Sequence, residues 1–306
     1  MALVAVIAGN YWLRTRRSRR RGAAVLLFVA LTLASAFVGA EPVCSPGNVG
    51  VTARTEGEKV ILEFHNSESF GVTLTLRADL ANMASDPGLP LVKSFPGNSA
   101  EKLATLTVAK PGQPWNYSYR YHWERGVREV EHDNSVMYEL PWSPGVSFPV
   151  IQGYGGWFSH RGNFYHSIDW DMPEGTMVCA ARGGTVVAAR GDSSTTGPEQ
   201  RYANCANFVI VRHDDGTYGE YDHFRRDGLK VVVGQAVKTG DALGESGNTG
   251  FSAGPHLHFT VYRGVDGDTR QTFAVRFRVA ERGALDRFLG RGTTLKKGRS
   301  YIRPAE

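Results

Sequence analysis

Between Glu41 and about Ser143, apolar and polar residues alternate in short runs broken by turn residues, and this pattern restricts the chain to a β architecture. Val60–Phe64, Val72–Arg77 and Leu103–Val108 all follow it, and Trp115–Trp123 alternates aromatic with polar side chains. Successive side chains of a strand point to opposite faces, so runs of this kind bury one face and wet the other. Asn66-Ser67, Pro87-Gly88, Pro96-Gly97-Asn98 and Pro111-Gly112 supply the turns. The spacing predicts a small antiparallel β-sandwich-like accessory domain over residues 41–143. His65, His122 and His132 stand alone in it and read as surface or hydrogen-bonded histidines.

Pro141-Trp142-Ser143-Pro144-Gly145 reads as a linker, after which glycine becomes frequent. Strand-like runs continue at Thr185–Ala189, Asn207–Arg212, Val231–Val233 and His256–Tyr262, and no convincing helical stretch appears before Glu281–Leu289. A second, mostly β domain over residues 144–280 and a tail over 281–306 follow from this. The basic Lys296-Lys297-Gly298-Arg299 in that tail reads as solvated surface.

The net charge of +5 has a local origin. Residues 1–40 hold Arg14, Arg16, Arg17, Arg19, Arg20 and Arg21 and no acid; setting these six aside leaves 29 of the 35 basic residues against 30 acidic ones. The remainder is near neutral, so the overall charge gives no support to nucleic-acid binding. The Arg run is followed by uncharged Ala23–Ala40. A basic flank before an apolar stretch of this length marks an export signal or a membrane anchor, with the flank (residues 1–22) cytoplasmic and everything after Ala40 exported, periplasmic or otherwise extracytoplasmic. Cleavage near Ala36 or Ala40 and retention in the inner membrane are both compatible with residues 23–40. Export permits a disulfide among Cys44, Cys179 and Cys205. Cys179 and Cys205 lie in or beside strand-like runs; a bridge between them and a reduced, buried pair are both expected possibilities.

The chemistry gathers late in the chain. In His256-Leu257-His258 the two imidazoles project from one strand face while Leu257 turns to the other. Upstream stand His160, His166, Asp169, Asp171 and His223, and a glycine-rich segment, Gly244–Gly254, leads into the pair. Three ligands of mixed His and Asp type, with a fourth position for water, describe a catalytic zinc site; a structural one would more often use closely spaced cysteines, which this chain lacks. Two further histidines beside such a metal are suited to proton transfer or to stabilising charge on a substrate oxygen. His213, before the turn Asp214-Asp215-Gly216-Thr217, reads as structural.

Gly254-Pro255-His256-Leu257-His258-Phe259, preceded by Tyr221-Asp222-His223-Phe224 and by Asp169 with Gly175-Thr176 after it, resembles the M23 family of zinc metallopeptidases. This is the lysostaphin/LytM type, whose members mostly cleave peptides of bacterial peptidoglycan. The resemblance spans roughly residues 150–265. It implies a LytM-type antiparallel sheet, one Zn2+ per chain held by His160, Asp169 and His258, and catalytic roles for His223 and His256. In the commoner family pattern the first histidine lies four residues before the aspartate, a place taken here by Tyr165. His160 is favoured over His166, because a strand that turns Asp169 to the metal turns His166 away. Asp171 shares the Asp169 face and is a rival, although the spacing to Gly175-Thr176 favours Asp169. The implied activity is hydrolysis of peptide bonds in peptidoglycan. A catalytically inactive regulator of other wall hydrolases, acting through a protein partner, and a peptidase of secreted proteins are the alternatives. Glycines 153–156 and 244–254 are expected to wall a substrate groove, with Tyr154, Trp157 and Tyr165 either lining it or packing beneath.

Overall fold

The computed structural model describes the backbone of residues 3–7 and residues 44, 47–280 and 295–304. The Arg run, Ala23–Ala40 and Glu281–Leu289 lie outside the described residues. The chain is mostly β. In the first half, Val49–Glu56, Lys59–Asn66, Ser99–Val108 and Met83–Asp86 form one antiparallel sheet. Asn116–Arg125, Val72–Ala81 and Leu91–Phe95 form a second, with the backbone of Leu3–Ile7 along its edge. The alternation read from the sequence is visible in Lys59–Asn66, where Val60, Leu62 and Phe64 are buried and Lys59 and His65 exposed.

In the second half, a nine-stranded sheet carries the central strands Phe208–Arg212, Tyr218–Asp222, His256–Gly264 and Ile168–Asp171, with Ser147–Gln152 beyond them. These central strands are buried on both faces. Val209, Val211, Tyr221, Leu257, Phe259 and Val261 enter one hydrophobic core. Phe208, Ile210, Tyr218 and Tyr262 point the opposite way, into a second core built mainly from the first-half sheets. One sheet therefore serves two cores, and the first half covers part of its outer face. The backbones meet closely there: a Cβ on Gly264 would lie 2.5 Å from the carbonyl oxygen of Gly126. Ser69 Oγ also donates to the carbonyl of Val187 at 2.7 Å.

Three local readings change. Trp142, placed in a linker by its Pro and Gly neighbours, is fully buried, and its indole N–H donates to the carbonyl of Val146 at 2.8 Å. Residues 295–304, expected as a tail, return to the body. Ser300–Ile302 pairs with Ser147–Pro149, Leu295 is buried, and Arg303 donates to the carbonyl of Trp142 at 2.6 Å. The disulfide joins Cys44 to Cys205, leaving Cys179 free and buried. The cross-link thus reaches from beside the apolar N-terminal stretch to the short 3₁₀ turn Gln200–Cys205.

Candidate metal centre

The row that carries the chemistry is set by strand register. Asp169 lies directly opposite His258 in one antiparallel pair, and Asp222 lies directly opposite His258 in the other. Directly opposed residues share a face, so Asp169, His258 and Asp222 form a line across three adjacent strands. His256 stands two residues away on the same face. The intervening Leu257 enters the core, as parity requires.

His160 arrives from the loop after Ser147–Gln152. Its Nδ1–H donates to the carbonyl of Gly153 at 2.9 Å, which leaves Nε2 facing Asp169 Oδ1 at 3.1 Å. His258 Nδ1 lies 2.8 Å from the same oxygen. The other oxygen, Oδ2, accepts from Gln152 Nε2 at 2.9 Å. Ligand atoms of His160, Asp169 and His258 lie within 4.8 Å of one another, and all three residues are buried. The fit to a cation follows from the donor set. His160 has committed its proton to Gly153, so its Nε2 lone pair meets a carboxylate oxygen, and this buried atom has no hydrogen-bond partner. Lone pairs converging in a dry site are stable only around a positive centre, a proton or a metal ion. Two imidazoles and one carboxylate with room for a fourth ligand suit zinc.

The charges agree with this. Burial by itself raises the pKa of Asp169, but the imidazoles of His160 and His258 against its carboxylate outweigh it and hold the carboxyl well below its ordinary range. Burial by itself lowers the pKa of His258, yet Asp169 and then Asp222 and Glu220 outweigh it and raise it.

His223 and His256 stand beside this cluster with ring centroids 4.3 Å apart. His223 Nδ1–H donates to the carbonyl of Thr249 at 2.6 Å and His256 Nδ1–H to that of Gly254 at 2.8 Å. In each ring this anchoring through Nδ1 leaves Nε2 clear of the backbone contact. Burial, followed by the proximity of His256 and His258, pushes the pKa of His223 well below the usual imidazole value, so the ring is neutral at neutral pH. The backbone of His223 is left-handed, with φ of 74°. That sharp turn lies between the strands Tyr218–Asp222 and Phe224–Leu229. Such a conformation is uncommon for a residue with a side chain and clusters at functional sites.

These groups open into a cleft of about 500 Å³ lined by Trp157, Phe158, Phe251, Ala253, His223 and His256 among others. Phe158 stacks on Phe251 at 5.6 Å, and Trp157 is 70% exposed. Of the two glycine-rich segments expected to wall the groove, 244–254 contributes Phe251, Ser252 and Ala253, whereas none of residues 153–156 lines it; Gln200 and Ala203 of the turn Gln200–Cys205 and Lys297 contribute as well. Tyr154 instead packs inward and bonds the carbonyl of Val275 at 3.1 Å. Tyr165 is half exposed.

Of the two candidates for the first ligand, His160 reaches Asp169, whereas His166 Nδ1 donates to the carbonyl of Thr272 at 2.9 Å. Asp171 is exposed. His213 is buried, bonded to the carbonyl of Gly183 at 2.9 Å, and remote from the cleft lining. Sequence reasoning passed over Gln152 and Asp222. Nothing in the sequence marks Gln152, because its link to Asp169 is a contact across strands. Asp222 was legible only as the middle residue of Tyr221-Asp222-His223.

Residues 163–271 match the model of Peptidase family M23, so the M23 resemblance holds for this segment. Related proteins include an uncharacterized metalloprotease of Haemophilus influenzae, 30% identical over 175 residues, 52% of this chain and 33% of the relative. Peptidoglycan DD-endopeptidase ShyA of Vibrio cholerae is 33% identical over 97 residues, 32% of this chain and 20% of the relative. Lysostaphin of Staphylococcus simulans is 31% identical over 135 residues, 44% of this chain and 24% of the relative. The chain thus spans at most a third of the length of these relatives. The solved structure of lysostaphin from the same species aligns at 30% identity over 41% of this chain and 47% of that one, with a TM-score of 0.32.

Proposed function

We propose that the M23 segment of this chain is a zinc endopeptidase that hydrolyses peptide bonds in peptidoglycan, with residues 41–143 as an accessory domain. The observation that carries the reading is the buried convergence of His160 Nε2, Asp169 Oδ1 and His258 Nδ1, with the His223 ring 6.1 Å from that of His258 and 4.3 Å from that of His256. An inactive regulator would need none of this, and all five positions are filled.

His160, Asp169 and His258 would hold the ion; Gln152 keeps the Asp169 carboxylate turned so that one oxygen remains for it. Bound zinc supplies Lewis acidity, activating a water and polarising the substrate carbonyl. His223, neutral and anchored through Nδ1, offers Nε2 as a fixed acceptor that orients the water. His256 is half buried and lines the cleft, where a substrate would lie. It takes the water's proton at Nε2 and returns it to the departing amine. Phe158, Phe251 and Trp157 line the groove with apolar rings, against which an extended peptide lies.

We further place the protein outside the cytoplasm. The Cys44–Cys205 disulfide fits an oxidising compartment, as does the apolar stretch before it. Cleavage after Ala40 would remove Leu3–Ile7, which lies at the edge of its sheet.

The test is release of peptides from purified peptidoglycan by the protein, with and without a chelator. Chelator-sensitive release supports the proposal. Wall binding without release favours the regulator, and cleavage of secreted proteins but not of wall favours the third reading.

A further inference from the structure

The row Asp169–His258–Asp222 has an unbalanced end. His258 turns Nδ1 to Asp169, so its Nε2 lies across the ring, on the far side; that atom is buried and has no hydrogen-bond partner. Asp222 occupies the directly opposite register position on the strand beyond. Its negative charge acts on His258, as does that of Glu220. The nearby cations are engaged elsewhere. Arg125 bonds Glu220 at 3.4 Å, and Arg270 bonds both Glu220 and Glu124. Glu220 is thus satisfied by two arginines, whereas the Asp222 carboxylate forms no hydrogen bond or ion pair among the described residues. An orphaned imidazole nitrogen and an unengaged carboxylate thus belong to residues directly opposed in one strand pair.

We propose that Asp222 is a positioning residue for the metal ligand: its carboxylate accepts the Nε2 proton of His258 and so fixes the tautomer and ring plane in which Nδ1 faces the ion. This rests on the zinc reading above. An imidazole ligand donates its second N–H to a carboxylate or carbonyl as a rule, and loss of that acceptor weakens metal binding. His160 already has such an acceptor in Gly153; Asp222 completes the pair. A second structural layer supports it. Arg270 stacks between Tyr262 (4.1 Å) and Phe164 (5.1 Å), and Phe164 sets its edge against the His258 ring at 5.9 Å. Glu124 comes from the first-half strand Asn116–Arg125, so the accessory sheet anchors the arginine that braces this ligand.

The experiment measures zinc affinity by chelator competition on the full chain, beside the melting temperature of the metal-free protein. Asp222→Ala is expected to raise the zinc Kd roughly 10- to 100-fold. Asp222→Asn, which keeps an acceptor oxygen, is expected to fall between Ala and the parent. The metal-free Asp222→Ala protein should melt no lower than the parent, because an unengaged, half-buried carboxylate is removed. In the zinc-loaded parent, nitrogen-15 spectra should show His258 protonated at Nε2, with a hydrogen-bonded proton signal lost in Asp222→Ala. Unchanged zinc affinity in Asp222→Ala, or a His258 protonated at Nδ1 in the zinc-loaded parent, overturns the inference. Failure of the parent itself to bind zinc would overturn the peptidase reading instead.

Discussion

Reduction of the Cys44–Cys205 bond, or its removal in Cys44→Ser, should cost this protein a large part of its stability. The bridge closes a loop with a sequence separation of 161 residues. Loop-closure entropy for that length gives about 5 kcal/mol of stabilisation, an upper value because native strain and residual structure in the unfolded chain reduce it. With a urea m-value of about 3 kcal/mol/M, reasonable for a chain of this size, the midpoint should fall by roughly 1.5 M. The assay is urea unfolding of the parent with and without reductant, together with Cys44→Ser and Cys205→Ser. The three perturbed samples should coincide, and reductant should not shift either variant further. Peptide mapping should find Cys179 as the free thiol in the parent. A midpoint unchanged on reduction, or a mapped Cys179–Cys205 bridge, would refute the reasoning. Because Gln200 and Ala203 of the bridged turn line the cleft, cleavage activity should also fall in the reduced protein, by a rise in KM rather than a loss of zinc.

Other expectations are narrower. His258→Ala and Asp169→Ala should lose bound zinc by elemental analysis, while His223→Ala should keep it and lose roughly 10²- to 10⁴-fold in kcat; metal loss in His223→Ala would make that residue a ligand. His213 is buried and its pKa is pushed down to about 4 by desolvation. Its contribution is therefore present above the unfolded value near 6.5 and lost as pH falls through 4, about 3 kcal/mol in all. His213→Gln should flatten the loss of stability between pH 7 and 4, read by urea midpoints at each pH. Trp157→Ala should raise KM for peptidoglycan peptides several-fold with zinc content and melting temperature unchanged, since its ring is largely exposed in the cleft wall.

The parts of this molecule that could be read beforehand are those with a local cause. Strand parity in His256-Leu257-His258 needs only the period of two; His166 parts from Asp169 for another reason, since it lies in the turn before the strand Ile168–Asp171 and bonds Thr272. The alternation over Val60–Phe64 exposes its buried face without any partner being known. The parts that escaped are set by contacts between distant segments. Cys44 and Cys205 meet only because the fold brings the segment just before Val49–Glu56 to the turn Gln200–Cys205. Glu124, Glu220 and Arg270 form one buried charged group from three separate strands, and no spacing rule links them. Ser300–Ile302 is three residues long beside a basic run, too short for periodicity to separate it from solvated chain.

The left-handed backbone at His223 has a consequence for anyone who alters this protein. An L-residue held there gives up about 1–2 kcal/mol that glycine would not. A screen for heat resistance would therefore be drawn to glycine or asparagine at 223, and would return a tougher molecule that no longer cuts. On the proposed mechanism, durability and turnover compete for that single codon.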